Sequence, residues 1–487
     1  MKKYLRNPAN KRIGRWLILT TTIAVSTVYF VPRSADAKDL YVNNSGSPAC
    51  SDSTSYRENS PSRPWCSLLR AVRGNSDGNR NSPGVPAQAA QAGDTVLVSA
   101  GTYDYDGPGY VAGTWLGVFY DPINSGRPEA WIEFRADGVV TLTGNQSGHS
   151  SMIGSNQAQY IKWTGFTLNQ ALSSYRNGIA TASADNIWFE GNTIIGEHTV
   201  FSHGDDNHPG LIIHGPRAND CTGGISNITI RNNSISGFTG GNGRKDNAIT
   251  LYCLGENILI ENNDIFDNGT GINAKSNYIN NRNIIIRKNR FSNNSGNGIA
   301  MQAFSDWHVY QNIMENNETG FLFFNTVYFV GETKPHHVYV VNNTMVGNRA
   351  GIYFKWLCQN MSDNSVGNNL IIGSSAVRTD DLSCTTPENM GVDDVRFDRN
   401  FYGISGEFYQ DFASWNSWQS RFGQDANSIY NIDPLFVDAS GGDFRLQPTS
   451  SARDAGRDVL DLDGDGDTTD PINAGAFVTG TEVIGAR

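Results

Sequence analysis

Along the middle of the chain, short apolar runs recur, each ending in an asparagine and a hydrophobic pair. They read NIWFEGNTI, NITIRNNSI, NILIENNDI, NIIIRKNRF, HVYQNIM, HVYVVNNTM and VGNNLII. The shared asparagines are Asn192, Asn233, Asn263, Asn289, Asn312, Asn343 and Asn369, at intervals of 41, 30, 26, 23, 31 and 26. The shortest interval measures one bare coil of a repeating structure, and the longer ones carry loops inserted on one face. A second phrase alternates with the first: GIATA, GLIIH, AITLY, GINAK, GIAMQ, GFLFF and GIYFK. Within it apolar and other residues alternate, as in a strand buried on one face. Ile179, Leu211, Ile249, Ile272, Ile299, Phe321 and Ile352, with the residue two further on in each, are expected to point inward. Two or three short strands per coil, with Asn or Gly at the corners, predict an all-β solenoid, a parallel β-helix whose coils stack because none can bury its own apolar face. A β-propeller requires four strands per blade and a regular period, which this chain lacks.

The repeat overrides the expectation from length. A chain of 487 residues ordinarily holds more than one domain, but stacked coils make residues 38–487 one β-helix. Within it, 38–105 are expected to form the N-terminal cap and first coils, and 430–487 a C-terminal cap. Asparagine at a corner tolerates left-handed backbone and can bond to the asparagine above and below; the 52 glycines supply other corners. Residues 1–37 read as an export signal: Lys2, Lys3, Arg6, Lys11, Arg12 and Arg15, then the apolar run WLILTTTIAVSTVYFV, then Ala35-Asp36-Ala37 as a cleavage site. The expected product is secreted, extracellular or periplasmic, monomeric, and free of the membrane once the signal is cleaved. Loss of the signal's seven basic residues and one acidic residue takes the formal charge from −11 to −17. That charge excludes a nucleic-acid partner. It also repels an acidic polymer unless cations or local basic groups intervene. Six cysteines in an exported chain point to disulfides. Of the 15 connectivities they allow, nearest-neighbour pairing gives Cys50–Cys66, Cys221–Cys253 and Cys358–Cys384.

The opening LYVNNSGSPAC…PWCSLLRAV…AQAGDTVLVSAGTY and the ending DPLFVDASGGDFRLQPTSSARDAG…DLDGDGDTTDPINAGAF resemble the secreted pectate-lyase-like β-helix proteins. The resemblance implies a single-stranded right-handed parallel β-helix with inserted loops and capped ends. It is specific for the fold. Lyases, hydrolases, epimerases and non-catalytic adhesins share the scaffold.

Outward-facing residues of successive coils form columns about 4.8 Å apart per step. The fifth position of the second phrase gives Ala182, His214, Tyr252, Lys275, Gln302, Phe324 and Lys355; the column two residues earlier gives Ala180, Ile212, Thr250, Asn273, Ala300, Leu322 and Tyr353. A His214–Tyr252–Lys275 stack fits eliminative cleavage of a uronate polymer, which needs a neutralised carboxylate, a base for the C5 proton and an acid for the leaving oxygen. Lysine acts as the base once its pKa falls below about 10.4. GINAKSNYINNRNIIIRKNRF resembles the catalytic-lysine segment of the β-helix lyases related to chondroitinase B and alginate lyases. Those pair the lysine with an arginine on the next coil, whereas the matching coil here offers Gln302. The acid role would then pass to Tyr252 or His214. Asn273, Gln302, Arg244, Lys245, Phe324, Tyr353 and Lys355 are expected to contact substrate, with Trp307 and Trp356 as further stacking faces.

The inserted segment 196–210 and the neighbouring GGNGRKDN are rich in metal-type ligands, and Asp205, Asp206 and Asp246 are candidates for Ca²⁺ that bridges protein acid to substrate acid. DLDGDGDTTD resembles the start of a calcium loop. Asp461, Asp463 and Asp465 stand in ligand positions, although Ile472 replaces the closing glutamate. The leading functional expectation is a polysaccharide lyase acting on an acidic polysaccharide with Ca²⁺ as cofactor. A glycoside hydrolase or C5-epimerase, and a non-catalytic polysaccharide-binding surface or matrix protein, are the alternatives.

Overall fold

The computed structural model describes residues 37–76, 83–105, 117–144, 150–170, 177–197, 209–215, 224–239, 246–275, 281–302, 305–324, 336–355, 363–373, 375–379, 395–404, 414–482 and 484–485. The chain divides into two units, Met1–Pro32 and Arg33–Arg487, and every described residue belongs to the second. The export signal, Asp205, Asp206, Arg244, Lys245, Trp356, Cys221, Cys358 and Cys384 lie outside the described residues.

Three strands make one complete coil, for example Glu256–Glu261, Asp264–Phe266 and Thr270–Lys275. Each pairs in parallel with its counterpart on the next coil, as Ile258 with Ile284, Ile265 with Phe291 and Ile272 with Ile299. The stack is a right-handed parallel β-helix. Third strands from successive coils form a ten-stranded parallel sheet running from Gly117–Tyr120 to Val377–Thr379, here called the groove sheet. The first and second strands form the other long sheet.

The core follows from the alternation in the sequence. Ile179, Leu211, Ile249, Ile272, Ile299, Phe321 and Ile352 are fully buried, as are Ile213, Leu251, Ala274, Met301, Phe323 and Phe354 two positions on. Trp307, expected as a sugar-stacking face, is instead fully buried. It pairs in register with Ile284 and Val338 on the inward side of Ser305–Tyr310.

The corner asparagines do one of the two jobs expected of them. Asn192, Asn233, Asn263, Asn289, Asn312, Asn343 and Asn369, joined by Asn400, form a buried ladder in which each side-chain amide donates to the side-chain oxygen one coil on. The same oxygen accepts the preceding asparagine's backbone N–H, as Asn289 does from Asn263 at 2.9 Å. The left-handed backbone sits one residue earlier, at Asn232, Asn262, Lys288, Gln311, Asn342 and Asn368. That residue turns the chain so that the asparagine side chain points inward. A second ladder, Asn268, Asn294, Asn317 and Asn348, lines the next corner. Glycine at the second position of the groove strands answers to space, not to corner geometry. A Cβ on Gly271 would lie 2.4 Å from the Gly298 carbonyl oxygen and 2.6 Å from the Phe291 ring.

At the N-terminal end, helix Leu68–Arg73 places Leu68, Leu69, Ala71 and Val72 in the same core as the first strand, Asp39–Val42. The Cys50–Cys66 disulfide stands beside it. Cys253 is also disulfide-bonded. Helix Trp415–Phe422 joins the last coil through Trp418, which is fully buried, packs edge-on against Phe397 at 5.3 Å and donates to Asp425 at 2.9 Å. From Pro434 onward, where the sequence suggested a cap, the chain instead runs back along the outside of the coils. Ala476 N–H donates to Thr344 Oγ1, Gly475 N–H to the Asn368 carbonyl and Gly485 N–H to the Lys288 carbonyl. Phe444, Ala476 and Phe477 cover Ile313, while Leu446, Ala452 and Ala474 cover Leu370 and Phe401.

Candidate functional site

The outward face of the groove sheet carries the columns expected from the sequence, in the same register. His214 pairs with Tyr252, Tyr252 with Lys275, Lys275 with Gln302, Gln302 with Phe324 and Phe324 with Lys355. Beside this runs Ala180, Ile212, Thr250, Asn273, Ala300, Leu322 and Tyr353, extended by Arg378. The alternation in GINAK explains how each side chain is placed. Ile272 and Ala274 fill the core, which forces Asn273 and Lys275 to the outside.

The face is zoned. Toward the N-terminal end Val118, Ala180 and Ile212 form an apolar cluster with Ala182 packed against it. Toward the other end Ala300, Leu322 and Tyr353 form a second, with Phe324 against it. Between them the two columns hold His214, Tyr252, Lys275, Thr250, Asn273 and Gln302. These polar residues span four adjacent coils, and Lys355 and Arg378 stand apart from them at the far end of the columns.

Within this zone the His214 and Tyr252 rings lie 4.7 Å apart, tilted by 32°. His214 Nδ1 is 2.6 Å from the Gly215 carbonyl oxygen. In the neutral ring that nitrogen therefore donates, and Nε2 is the acceptor. Asn273 donates to the Asn247 side chain at 3.3 Å, which in turn donates to Thr250 Oγ1 at 3.1 Å, so the asparagine is held in place. Burial pushes the Lys275 ammonium below its ordinary value of 10.5, because desolvation disfavours the charged form. At the far end Arg378 stacks over the Tyr353 ring at 4.8 Å and stands 3.7 Å from Glu318.

The segments outside the described residues at 198–208, 216–223, 240–245, 276–280, 303–304, 325–335 and 356–362 each come shortly before or after a groove-sheet strand in the sequence. The extra length that stretches the repeat therefore enters the chain at this sheet, where solenoids place their binding loops. Of the calcium candidates beside the groove only Asp246 is described, and its backbone carbonyl accepts from Thr270 N–H at 3.0 Å.

A separate acidic cluster lies in the C-terminal segment. Carboxylate oxygens of Asp458, Asp461 and Asp463 approach within 4.8 Å of one another, as do those of Asp463, Asp465 and Asp470. Asp463 is common to both groups. Asp458, fully buried, accepts backbone N–H groups from Leu460, Leu462 and Asp463. Asp470 Oδ1 is buried without a hydrogen-bond partner. A hard donor set of carboxylates with one unsatisfied oxygen fits Ca²⁺. The calcium-loop resemblance named Asp461, Asp463 and Asp465, which belong to this cluster. The cluster also contains Asp458 and Asp470, which that template, with its closing position at Ile472, did not name.

The family model described as "Right handed beta helix region" matches residues 151–345. No curated protein matches the chain. Among solved structures the chain is similar to a mannuronic-acid-specific polysaccharide family 6 lyase from human gut microbiota, at 13% identity over 77% of this chain and 78% of that one, TM-score 0.44. It is also similar to a pectate lyase, at 14% identity over 92% and 97%, TM-score 0.41, and to a GH136 lacto-N-biosidase from Eubacterium ramulus, at 12% identity over 69% and 64%, TM-score 0.43. In fold, the chain is a right-handed parallel β-helix.

Proposed function

We propose that this chain is an exported carbohydrate-active enzyme, a polysaccharide lyase that cuts a uronate-containing polymer by β-elimination. The observation that carries the reading is Lys275, a half-buried amine with lowered proton affinity, in register between Tyr252 and Gln302 within the longer polar stretch of the two described columns. In this reading the neutral Lys275 amine takes the C5 proton of a bound uronate. The electron pair left behind forms the new C=C bond as the neighbouring C–O bond breaks. The leaving oxygen takes a proton from the Tyr252 hydroxyl, one strand step of about 4.8 Å away. Afterwards the Lys275 ammonium gives its extra proton to water, and the Tyr252 phenolate takes one back from water relayed through the unprotonated Nε2 of the adjacent His214. Asn273 and Gln302 orient the uronate.

Hydrolysis stands second, because the familiar glycosidase mechanisms use two carboxylic acids and no aspartate or glutamate occupies the described positions of either column. Calcium is proposed at the aspartate cluster as a structural ion held by Asp458, Asp461, Asp463, Asp465 and Asp470. When bound it neutralises their mutual repulsion and fixes the returning C-terminal segment.

The test is an ultraviolet assay for unsaturated uronate with the mature protein, Lys275→Gln and Tyr252→Phe on a panel of acidic polysaccharides. The reading expects absorbance to rise with the parent protein and to be lost in both variants. New reducing ends without absorbance would move the assignment to hydrolysis. No turnover with retained binding would move it to a binding protein.

A further inference from the structure

The chain enters the fold immediately after the expected cleavage site. Lys38 stands just before the first strand, Asp39–Val42, and its carbonyl accepts from Thr95 N–H at 3.1 Å. Its backbone nitrogen donates to Asp94 Oδ1 at 3.0 Å. Asp94 is fully buried, and its other oxygen, Oδ2, accepts from the Tyr56 hydroxyl and from Gln91 N–H, both at 2.8 Å. Tyr56 is held in turn by Gln88, whose side-chain oxygen accepts its N–H at 2.9 Å. The Lys38 side-chain ammonium lies over the Tyr56 ring at 4.2 Å and donates to the Tyr56 carbonyl, so it acts on Asp94 only through space. Burial holds the Asp94 carboxyl above its usual range, against the pull of these donors and of that ammonium.

A buried carboxylate is stabilised by a cation in contact with it, and processing makes one at this atom. In the uncut chain the Lys38 nitrogen is the amide of the Ala37–Lys38 peptide bond. When a signal peptidase hydrolyses that bond, water gives its oxygen to the Ala37 carbonyl carbon and both hydrogens to the Lys38 nitrogen. The products are a carboxylate on Ala37 and an α-ammonium on Lys38. The neutral donor facing Asp94 thereby becomes a charged one, a class of hydrogen bond roughly twice as strong. Asp94 is out of water in either form, and Lys38 is only half-buried, so the new charge adds attraction without a second deep desolvation. The register is strict: a cut one residue earlier leaves an amide opposite Asp94, and a cut one residue later removes the nitrogen.

Resting on the export reading and not on the chemistry at Lys275, we propose that Asp94 is the counter-ion of the mature N-terminus. Cleavage after Ala37 creates an α-ammonium on Lys38 that pairs with Asp94 and fastens the first strand, so export processing completes the N-terminal cap.

The test starts from the precursor expressed in an exporting host. Intact mass and N-terminal sequencing of the exported protein should place its first residue at Lys38. Hydrogen exchange at Asp39–Val42 then compares the chain that begins at Lys38 with one that keeps Ala37 in front of it, at equal pH. Opening of the strand should be about tenfold rarer in the Lys38 chain, and Asp94→Asn should close that gap. The gap should also fade with rising pH. A paired α-ammonium has its proton affinity raised, so its contribution is complete below the unfolded value of about 7.7–8.0 and is lost as pH climbs through the folded value. A first residue other than Lys38, equal opening in the two chains, or a gap that survives Asp94→Asn would each overturn the proposal. Should Asp94→Asn fail to fold, the pH dependence decides: a gap unchanged up to about pH 10, well past the ordinary α-amine value, overturns it.

Discussion

The stack from Asn192 to Asn400 holds one residue type at every coil, whereas the stack from Ala182 to Lys355 changes residue at every coil. In the first, each side chain is bonded to those above and below, as Asn263 to Asn289 and Asn289 to Asn312, both through Nδ2 and Oδ1. Only a group that both donates and accepts can continue such a chain inside a dry core, so the position is uniform. In the second, the strands already pair through their backbones, and neighbouring side chains such as His214 and Tyr252 touch without a repeating hydrogen bond that would fix the residue type. The residue type at each coil is therefore not set by the stacking itself. A third stack shows the same logic with a known occupant. Thr193, Ser234, Asp264 and Arg290 are polar or charged, but Ile313, Thr344, Leu370 and Phe401 turn largely apolar where the returning C-terminal segment covers them. Along a β-helix, uniform columns mark structure and changing columns mark a partner.

The largest effect expected from breaking this contrast lies in the changing column. Lys275→Gln should lower turnover by about 10²–10⁴, the range for losing a general base, without loss of fold. Its stability effect should have the opposite sign. Because the folded value is lowered, the unfolded chain binds more protons in the window between that value and 10.5, and wild-type stability climbs with pH there. Below the window, burying the charged ammonium costs its full penalty. Lys275→Gln should therefore be more stable than the parent near neutrality, with the advantage fading toward pH 10.5. Urea midpoints across pH would show it, and a constant difference would remove the lowered proton affinity from the account. Wild-type turnover should also rise with pH through the same group.

Asn289→Ala, in the uniform column, should instead cost about 3 kcal/mol or more, since it leaves the Asn263 amide, the Ile260 and Arg287 carbonyls and Asn312 Oδ1 short of partners in the core. Asn273→Ala, one 3.3 Å bond on the outside, should cost less than about 1.5 kcal/mol while weakening substrate binding. Equal losses in the two would erase the distinction between the columns. The smallest effect is expected at the aspartate cluster. Adding Ca²⁺ in hundredfold excess over its Kd should raise stability by about 2.7 kcal/mol, and Asp463→Asn should cancel most of that gain. A calcium-insensitive melting temperature would remove the ion.

Much of this was legible in the sequence, and for a physical reason. Period and alternation are imposed by stacking, so NILIENNDI and GINAK were enough to set the register that pairs Tyr252 with Lys275 and Lys275 with Gln302. Features that depend on local backbone were read less well. The left-handed residue is the one before each ladder asparagine, and at three coils it is Lys288, Gln311 and Arg399, which composition alone would not have flagged. Trp307 looked like a sugar platform because aromatic residues serve both uses; its place just before HVYQNIM, two residues from the inward Val309, held the answer. The return of the C-terminal segment was missed although Ile313, Leu370 and Phe401 signalled it, since an outward apolar residue implies a cover without naming it.

The most direct test of the central claim is mass spectrometry of the chain ends produced when the mature protein digests its preferred polymer. β-Elimination at Lys275 predicts fragments whose new non-reducing ends are unsaturated uronates, each lacking the elements of water relative to a hydrolysed fragment. Fragments carrying that water, or the same unsaturated ends at undiminished yield from Lys275→Gln, would contradict the account.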